Sequence, residues 1–181
     1  MLVRREGPAD HEAVHALHRA AFTHGPTPDG RTASDGRAEA GLVDELRDDG
    51  DLVPELALVA EVDGRVVGHV AMSRATLDGR SGEVVGLGPL GVLPASQGRG
   101  VGSALMHATL AAADALGVRG VVLLGHPTYY PRFGFEPAVD HGITRPKDWG
   151  REYFMVRRLG SWGAGPAGAF RYAPTFERLD G

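Results

Sequence analysis

No cysteine occurs among the 181 residues. That excludes disulfide scaffolds, Cys-ligated zinc, iron–sulfur clusters and thiol nucleophiles together. Lysine is almost missing too: Lys147 stands alone, and arginine supplies the rest of the 19 basic residues, a bias we ascribe to coding rather than function. With 23 acidic residues the formal net charge is −4, and no basic run interrupts the mixture. Nucleic acid is therefore not expected as a partner. No apolar run approaches the roughly 18 residues needed to cross a bilayer. Met1 to Pro8 carries charge where a secretory signal needs an apolar stretch. The expectation is a soluble, cytoplasmic protein without a membrane partner.

What is present fits one globular domain over residues 1–181. The hydrophobic share of 43% and charged share of 23% are ordinary, and the length is close to one domain's worth. Such a chain buries on the order of 70% of its unfolded surface, enough for a core without metal or disulfide staples. Glycine, 27 residues, and proline, 12, stay below the density of low-complexity chains, so they must punctuate a fold.

Leu2 to Arg5 reads as a strand, after which Gly7, Pro8 and Asp10 suit the N-cap, first-turn and N3 positions of a helix. Val14, Leu17 and Ala21 recur at helical steps to about Phe22, and Leu42, Val43 and Leu46 mark a second amphipathic helix ending near Gly50. Thr23 to Gly36, between them, reads as a long loop. Leu56 to Val62 and Val66 to Leu77 are β-rich runs joined by Asp63-Gly64, a strong hairpin signal. A fourth strand, Glu83 to Val92, is interrupted by Gly86, Gly88, Pro89 and Gly91 and should bulge. A helix from Gly100 to Leu116, stopped by Gly117, leads to an apolar fifth strand, Val118 to Leu124, completing a βαβ unit. Tyr129 to Phe133 reads as a short helix broken by Gly134. Tyr153 to Leu159 and Ala169 to Tyr172 are candidate late strands.

The most informative segment is Gln97-Gly98-Arg99-Gly100-Val101-Gly102-Ser103, between the bulged strand and a helix. Glycines let the backbone approach an anion, and the helix start offers unpaired N–H groups in a favourable dipole. A pyrophosphate fits such a loop. The rival phosphate motifs fail on composition: no Lys precedes Ser103 as a Walker loop requires, and three residues after Gly100 stands Ser103 instead of the glycine of a dinucleotide fingerprint.

The segment resembles the Gln/Arg-x-x-Gly-x-Gly/Ala pyrophosphate loop of the GNAT superfamily of acetyl-CoA dependent N-acetyltransferases. Tyr130-Pro131-Arg132-Phe133-Gly134-Phe135 is similar to the Tyr-x-x-x-Gly-Phe segment that follows the family's fifth strand, in the same order and spacing. The resemblance is to a bacterial subgroup with a Tyr-Tyr-x-Arg-Phe-Gly-Phe segment. It implies an α/β fold with a mixed, mainly antiparallel central sheet, helices on both faces, and a splay between strands four and five that admits acetyl-CoA. It implies direct transfer of an acetyl group to a primary amine, on a small molecule or a peptide. Gln97 to Ser103 would bind the diphosphate, and Leu90, Gly91 and Val92 the pantetheine and thioester carbonyl. Tyr130 would donate to the departing sulfur, since a phenol of pKa near 10 stays protonated at neutral pH.

An alkyl amine must also lose a proton, and the usual strand-four carboxylate is replaced here by Gly86-Leu87-Gly88-Pro89. Glu83 and His126 are the substitutes the sequence offers, against readings as a solvated carboxylate and a loop imidazole. Two other functions stay open: a CoA-binding or regulatory domain without turnover, and an acyltransferase using a longer acyl donor or a hydroxyl acceptor. A homodimer also stays open, because relatives are often dimers.

Other signals are set aside. His11, His15 and His18 share one helical stripe, but a third ligand type is missing nearby, so no metal is assigned and the stripe reads as solvated or rim-packed. Asp48-Asp49-Gly50-Asp51 reads as a solvated turn. Tyr129 reads as packing or substrate wall, Arg99 as facing phosphate or solvent, and Arg132 as an ion-pair partner. Trp149, Trp162, Phe170 and Tyr172 read as late-strand packing or a dimer surface. Thr23 to Gly36 and the tail after Trp149 are expected to shape the acceptor pocket.

Overall fold

The computed structural model of the chain describes residues 1–25, 33–148 and 150–180. In chain order the elements are β1 (Leu2–Arg5), α1 (His11–Phe22), β2 (Thr23–His24), β3 (Ser34–Asp35), α2 (Arg37–Asp48), β4 (Leu58–Val62), β5 (Arg65–Leu77), β6 (Arg80–Val92), α3 (Val101–Ala115), β7 (Gly120–Leu124), β8 (Glu136–Pro137), β9 (Ile143–Thr144), β10 (Phe154–Arg158) and β11 (Gly168–Tyr172). The main sheet runs β1-β4-β5-β6-β7-β10-β8, with β11 paired to β5 and β9 to β11. Along that path only β6 and β7 are parallel. The sheet is mixed and mainly antiparallel.

Local chemistry sets these boundaries. The Asp10 carboxylate accepts the Gly7 N–H at 2.9 Å, closing the start of α1. Asp63 and Gly64 both take positive φ, 50° and 76°, giving the primed turn whose twist matches the strands it joins. Gly68 of β5 lies where a Cβ would meet Val101 and Leu105 of α3 at 2.7 and 2.9 Å. Gly91 of β6 lies where a Cβ would meet His18 of α1 at 2.7 Å. Small residues thus let α3 approach one sheet face and α1 the other. Val70, Met72, Leu105, Met106, Val121 and Leu123 form the core under α3. Val14, Val43 and Val59, with Leu42, Leu46 and Ala71, pack beneath α1 and α2.

The sheet does not stay closed. Parallel pairing of β6 with β7 covers Val84↔Gly120, Val85↔Val121 and Gly86↔Val122 and then stops. On its other side β6 bulges: Leu90 faces Val70 and Leu87 faces Met72, so Gly88 and Pro89 together oppose Ala71. Pro89 has no N–H to offer a neighbour, and Gly88 takes φ +153°, a conformation side-chain-bearing residues rarely adopt. The strand swings away from β7. Tyr172 of β11 packs its ring on Gly86, where a Cβ would come within 2.7 Å of it, and its hydroxyl is hydrogen-bonded to the backbone of Leu124.

Some expectations change. The segment Thr23 to Gly36 is not wholly irregular, because Thr23 and His24 pair with Asp35 and Ser34; residues 26–32, and Trp149, lie outside the described residues. The Asp48 to Asp51 turn is exposed as expected, but it also holds a tertiary contact. Asp49 accepts the Thr175 hydroxyl at 2.9 Å and pairs with Arg178, tying the C-terminal turn to α2. Trp162 packs over Gly120 rather than against a late strand alone.

Because the Tyr172 ring occupies the space a Cβ at Gly86 needs, Gly86→Ala is expected to lower stability by about 1–3 kcal/mol. Urea unfolding measures this; an unchanged midpoint would show that Tyr172 yields freely.

Candidate active site

Between β6 and α3 the chain makes an exposed turn, Gln97 to Gly100. Gly98 and Gly100 take φ +71° and +83°, yet nothing lies within 4 Å of a Cβ at either. Glycine is needed there for backbone conformation, not for room. Helix α3 then begins, its first closing bond running from the Ala104 N–H to the Gly100 carbonyl at 2.9 Å. The N–H groups of Val101, Gly102 and Ser103 are left without intrahelical acceptors, at the positive end of a fifteen-residue helix. The Gln97 side chain donates to the Val92 carbonyl at 3.0 Å, pinning the turn to the end of β6. The result is an open cradle for an anion.

The adjoining edge of β6 is also unpaired. Leu93 donates its N–H across to Val67 of β5 at 2.9 Å. Antiparallel alternation therefore turns the N–H groups of Leu90 and Val92 the other way, where β7 has already departed. A cavity of about 670 Å³ opens there, lined by Leu87, Gly88, Pro89 and Leu90 of β6, by Leu124 and Tyr130, and by Phe22, Glu39, Tyr172 and Phe176. That volume is typical of small-molecule sites. Tyr130 is largely enclosed, and burial, then the neighbouring Tyr129, push its hydroxyl up to about 12. Tyr129 packs its ring edge-on against Tyr130 at 5.0 Å and hydrogen-bonds Ser103 at the start of α3.

An anion cradle, a free strand edge and a cavity with a buried phenol in continuity describe a site for an extended, phosphate-bearing co-substrate. Comparisons with known proteins agree. The family described as "Acetyltransferase (GNAT) domain" matches residues 54–137. YhbS of Escherichia coli, an uncharacterized N-acetyltransferase, is 36% identical over 181 residues, spanning 99% of this chain and 100% of YhbS. The chain belongs to the GNAT acetyltransferase family. YjhQ of the same organism, also an uncharacterized N-acetyltransferase, is 42% identical over 111 residues, 60% of this chain and 61% of its own. The crystal structure of YhbS in complex with CoA superimposes with a TM-score of 0.85 over 98% of this chain and 92% of that one. A GNAT acetyltransferase from Brucella melitensis in complex with acetyl-CoA gives 0.77 at 35% identity over 97% of each.

In this GNAT chain the residues expected from sequence are only partly gathered. Leu90 and Tyr130 line the cavity, and Gly91, Val92 and Gln97 to Ser103 lead to it. Glu83 does not reach it: its carboxylate is 2.9 Å from the Arg119 guanidinium, at the end of β6 where pairing with β7 begins, four residues before Leu87. His126 is exposed, its Nδ1 2.9 Å from the Thr128 hydroxyl and its ring edge-on to Tyr153. The structure brings neither to the cavity. It places Glu39 there instead, the one acid among the described lining residues. Its position gave a signal: it stands three and four residues before Leu42 and Val43, on the apolar stripe of α2, where a carboxylate needs a reason.

The histidine stripe divides as well. His18 is enclosed, while His15 pairs with Asp44 at 2.6 Å and His11 stands 3.5 Å from Glu6. His18 Nε2 lies 2.7 Å from His69 Nδ1, His69 Nε2 lies 3.0 Å from a Glu6 oxygen, and Arg47 stands 2.6 Å from the other Glu6 oxygen. With Glu6 ionised the chain runs in one sense, His69 donating to Glu6 and His18 donating to His69. Burial, then the neighbouring His69 and Arg47, hold His18 well below its ordinary value. Burial likewise lowers His69 against the pull of Glu6. Burial alone would raise Glu6, but His69 and Arg47 hold it down.

Because both imidazoles bind protons less readily when folded, the unfolded chain takes up more protons as pH falls through about 6.5. Stability is full above that pH and declines below it. Thermal midpoints at pH 7.5 and 5.5 should show the decline, and His18→Leu should reduce it; an equal decline in that variant would place the proton uptake elsewhere.

Proposed function

We propose that this chain transfers an acetyl group from acetyl-CoA to the primary amine of a small molecule or peptide by direct attack. The observation that carries the reading is the continuity of the α3 cradle, the unpaired β6 edge and the Tyr130 cavity. The relatives solved with CoA and acetyl-CoA support the same co-substrate. The diphosphate would rest on the N–H groups of Val101, Gly102 and Ser103, with Gly98, Arg99 and Gly100 shaping the turn. Leu90 and Val92, flanking Gly91, would donate main-chain N–H groups to the pantetheine amides and to the thioester carbonyl oxygen, where negative charge develops.

The amine nitrogen bonds to the acyl carbon as the carbon–sulfur bond breaks. An alkyl ammonium of pKa near 10.4 must first lose a proton, costing on the order of 4 kcal/mol at neutral pH. Tyr130, at about 12, stays protonated throughout the working range. The same value makes complete proton transfer to a thiolate of pKa near 8.5 uphill. Tyr130 therefore stabilises the departing sulfur through a hydrogen bond; the ammonium's first proton leaves to solvent, and the proton that sulfur finally takes up balances the second one, which the attacking nitrogen sheds as the amide forms.

Tyr130→Phe keeps the ring and removes the donor. It is expected to lower kcat by about tenfold to a hundredfold, the worth of one charge-assisted hydrogen bond, with CoA affinity unchanged. Release of CoA thiol from acetyl-CoA in the presence of an amine panel measures it; an unaltered rate across pH would remove Tyr130 from the reaction, and acetyl-CoA binding by the wild-type chain without thiol release would leave a CoA-binding domain. Gly100→Val forces a branched side chain into φ +83° and should weaken CoA binding by calorimetry; wild-type affinity would contradict the cradle.

A further inference from the structure

Among the described residues lining the cavity there is one carboxylate, Glu39, and one of its oxygens is left without a partner. Glu39 lies in the first turn of α2, where an acid commonly reaches back to the N-cap N–H. Here the Gly36 N–H donates instead to the Ser34 hydroxyl at 3.1 Å. Glu39 Oε2 is sheltered from solvent and has no hydrogen-bond partner among the described residues. A sheltered carboxylate oxygen without a partner is costly, and a bound cation relieves that cost. The walls beside it are aromatic and apolar: Phe22, Leu42, Tyr172 and Phe176, the last two rings stacked at 4.6 Å. Arg171 and Lys147 add positive charge to the same lining.

Resting on the acetyl-transfer reading, we propose that Glu39 is the anchor for the acceptor's ammonium group and that the acceptor is a monoamine on an apolar or aromatic body. One carboxylate suits one ammonium. A polyamine or an aminoglycoside brings further positive charges that meet Arg171 and find no second acid among the described lining residues, and a polyhydroxylated body would lose water to apolar walls without recovering its hydrogen bonds. Phe22, Tyr172 and Phe176 offer such a body dispersion contact, and their ring faces suit an adjacent cation.

The test uses the full chain, acetyl-CoA and four amines: phenethylamine, hexylamine, spermidine and kanamycin, followed by thiol release. The two monoamines should exceed spermidine and kanamycin in kcat/KM by about tenfold or more. Glu39→Gln should raise the phenethylamine KM by about tenfold to a hundredfold, the range for losing a charged hydrogen-bond partner, with CoA affinity unchanged and the thermal midpoint of the free protein no lower than wild type. Preference for spermidine or kanamycin, an unchanged KM, or a loss confined to kcat would overturn the anchor while leaving acetyl transfer standing. No thiol release with any amine, despite normal CoA binding, would contradict the acetyl-transfer reading and the anchor with it.

Discussion

The parting of β6 from β7 after Gly86 and Val122 is the constraint on which the rest of this structure depends. A parallel pair carried to its end would satisfy the Leu90 and Val92 N–H groups with β7 carbonyls and close the sheet. The bulge at Gly88 and Pro89 redirects the strand and leaves those groups without a strand partner. An unpaired edge inside a protein is a cost. In the acetyl-transfer reading it serves as a recognition surface, because an extended amide-bearing molecule laid along it would restore what the missing strand would have supplied.

The opening is supported from several directions. β7 keeps its place by pairing with β10 on the far side from the opening. Tyr172 packs on Gly86 at the point of divergence and reaches Leu124 on the opposite strand. At the other end, Gln97 ties the exposed turn to Val92, so the anion cradle and the free edge hold a fixed relation. Helices α1 and α2 line the cavity with Phe22 and Glu39, and the buried Glu6–His69–His18 chain lies directly beneath Gly91. Ground that is polar and enclosed there fixes the register of α1 on the sheet, since each ring nitrogen has few alternative partners.

Much of this was legible in the residues. Period and turn chemistry located every long strand and helix, because Asp63-Gly64, Gly117 and Gly134 carry their conformational requirements in their identity. The interruptions at Gly86 to Gly91 announced a bulge, and the glycine spacing from Gln97 announced the exposed turn that opens α3. The acid that lines the cavity was not legible. Glu83 and His126 are near the motif in sequence but lie away from the cavity, one held by Arg119 and one exposed. Glu39 is some fifty residues away from the bulge in sequence and meets it only through packing of α2 on the sheet. His18 shows the same limit: its stripe is readable, but whether that stripe meets solvent or His69 is decided by tertiary contact.

The most direct measurement of the central claim is backbone amide exchange, residue by residue, with and without saturating CoA. Protection should rise at Leu90 and Val92 on the β6 edge and at Val101, Gly102 and Ser103 at the start of α3, leaving Gly91 and Leu93, which face β5, little changed. Unaltered exchange at Leu90 and Val92, with protection appearing elsewhere, would contradict the proposal that the strand divergence receives the co-substrate.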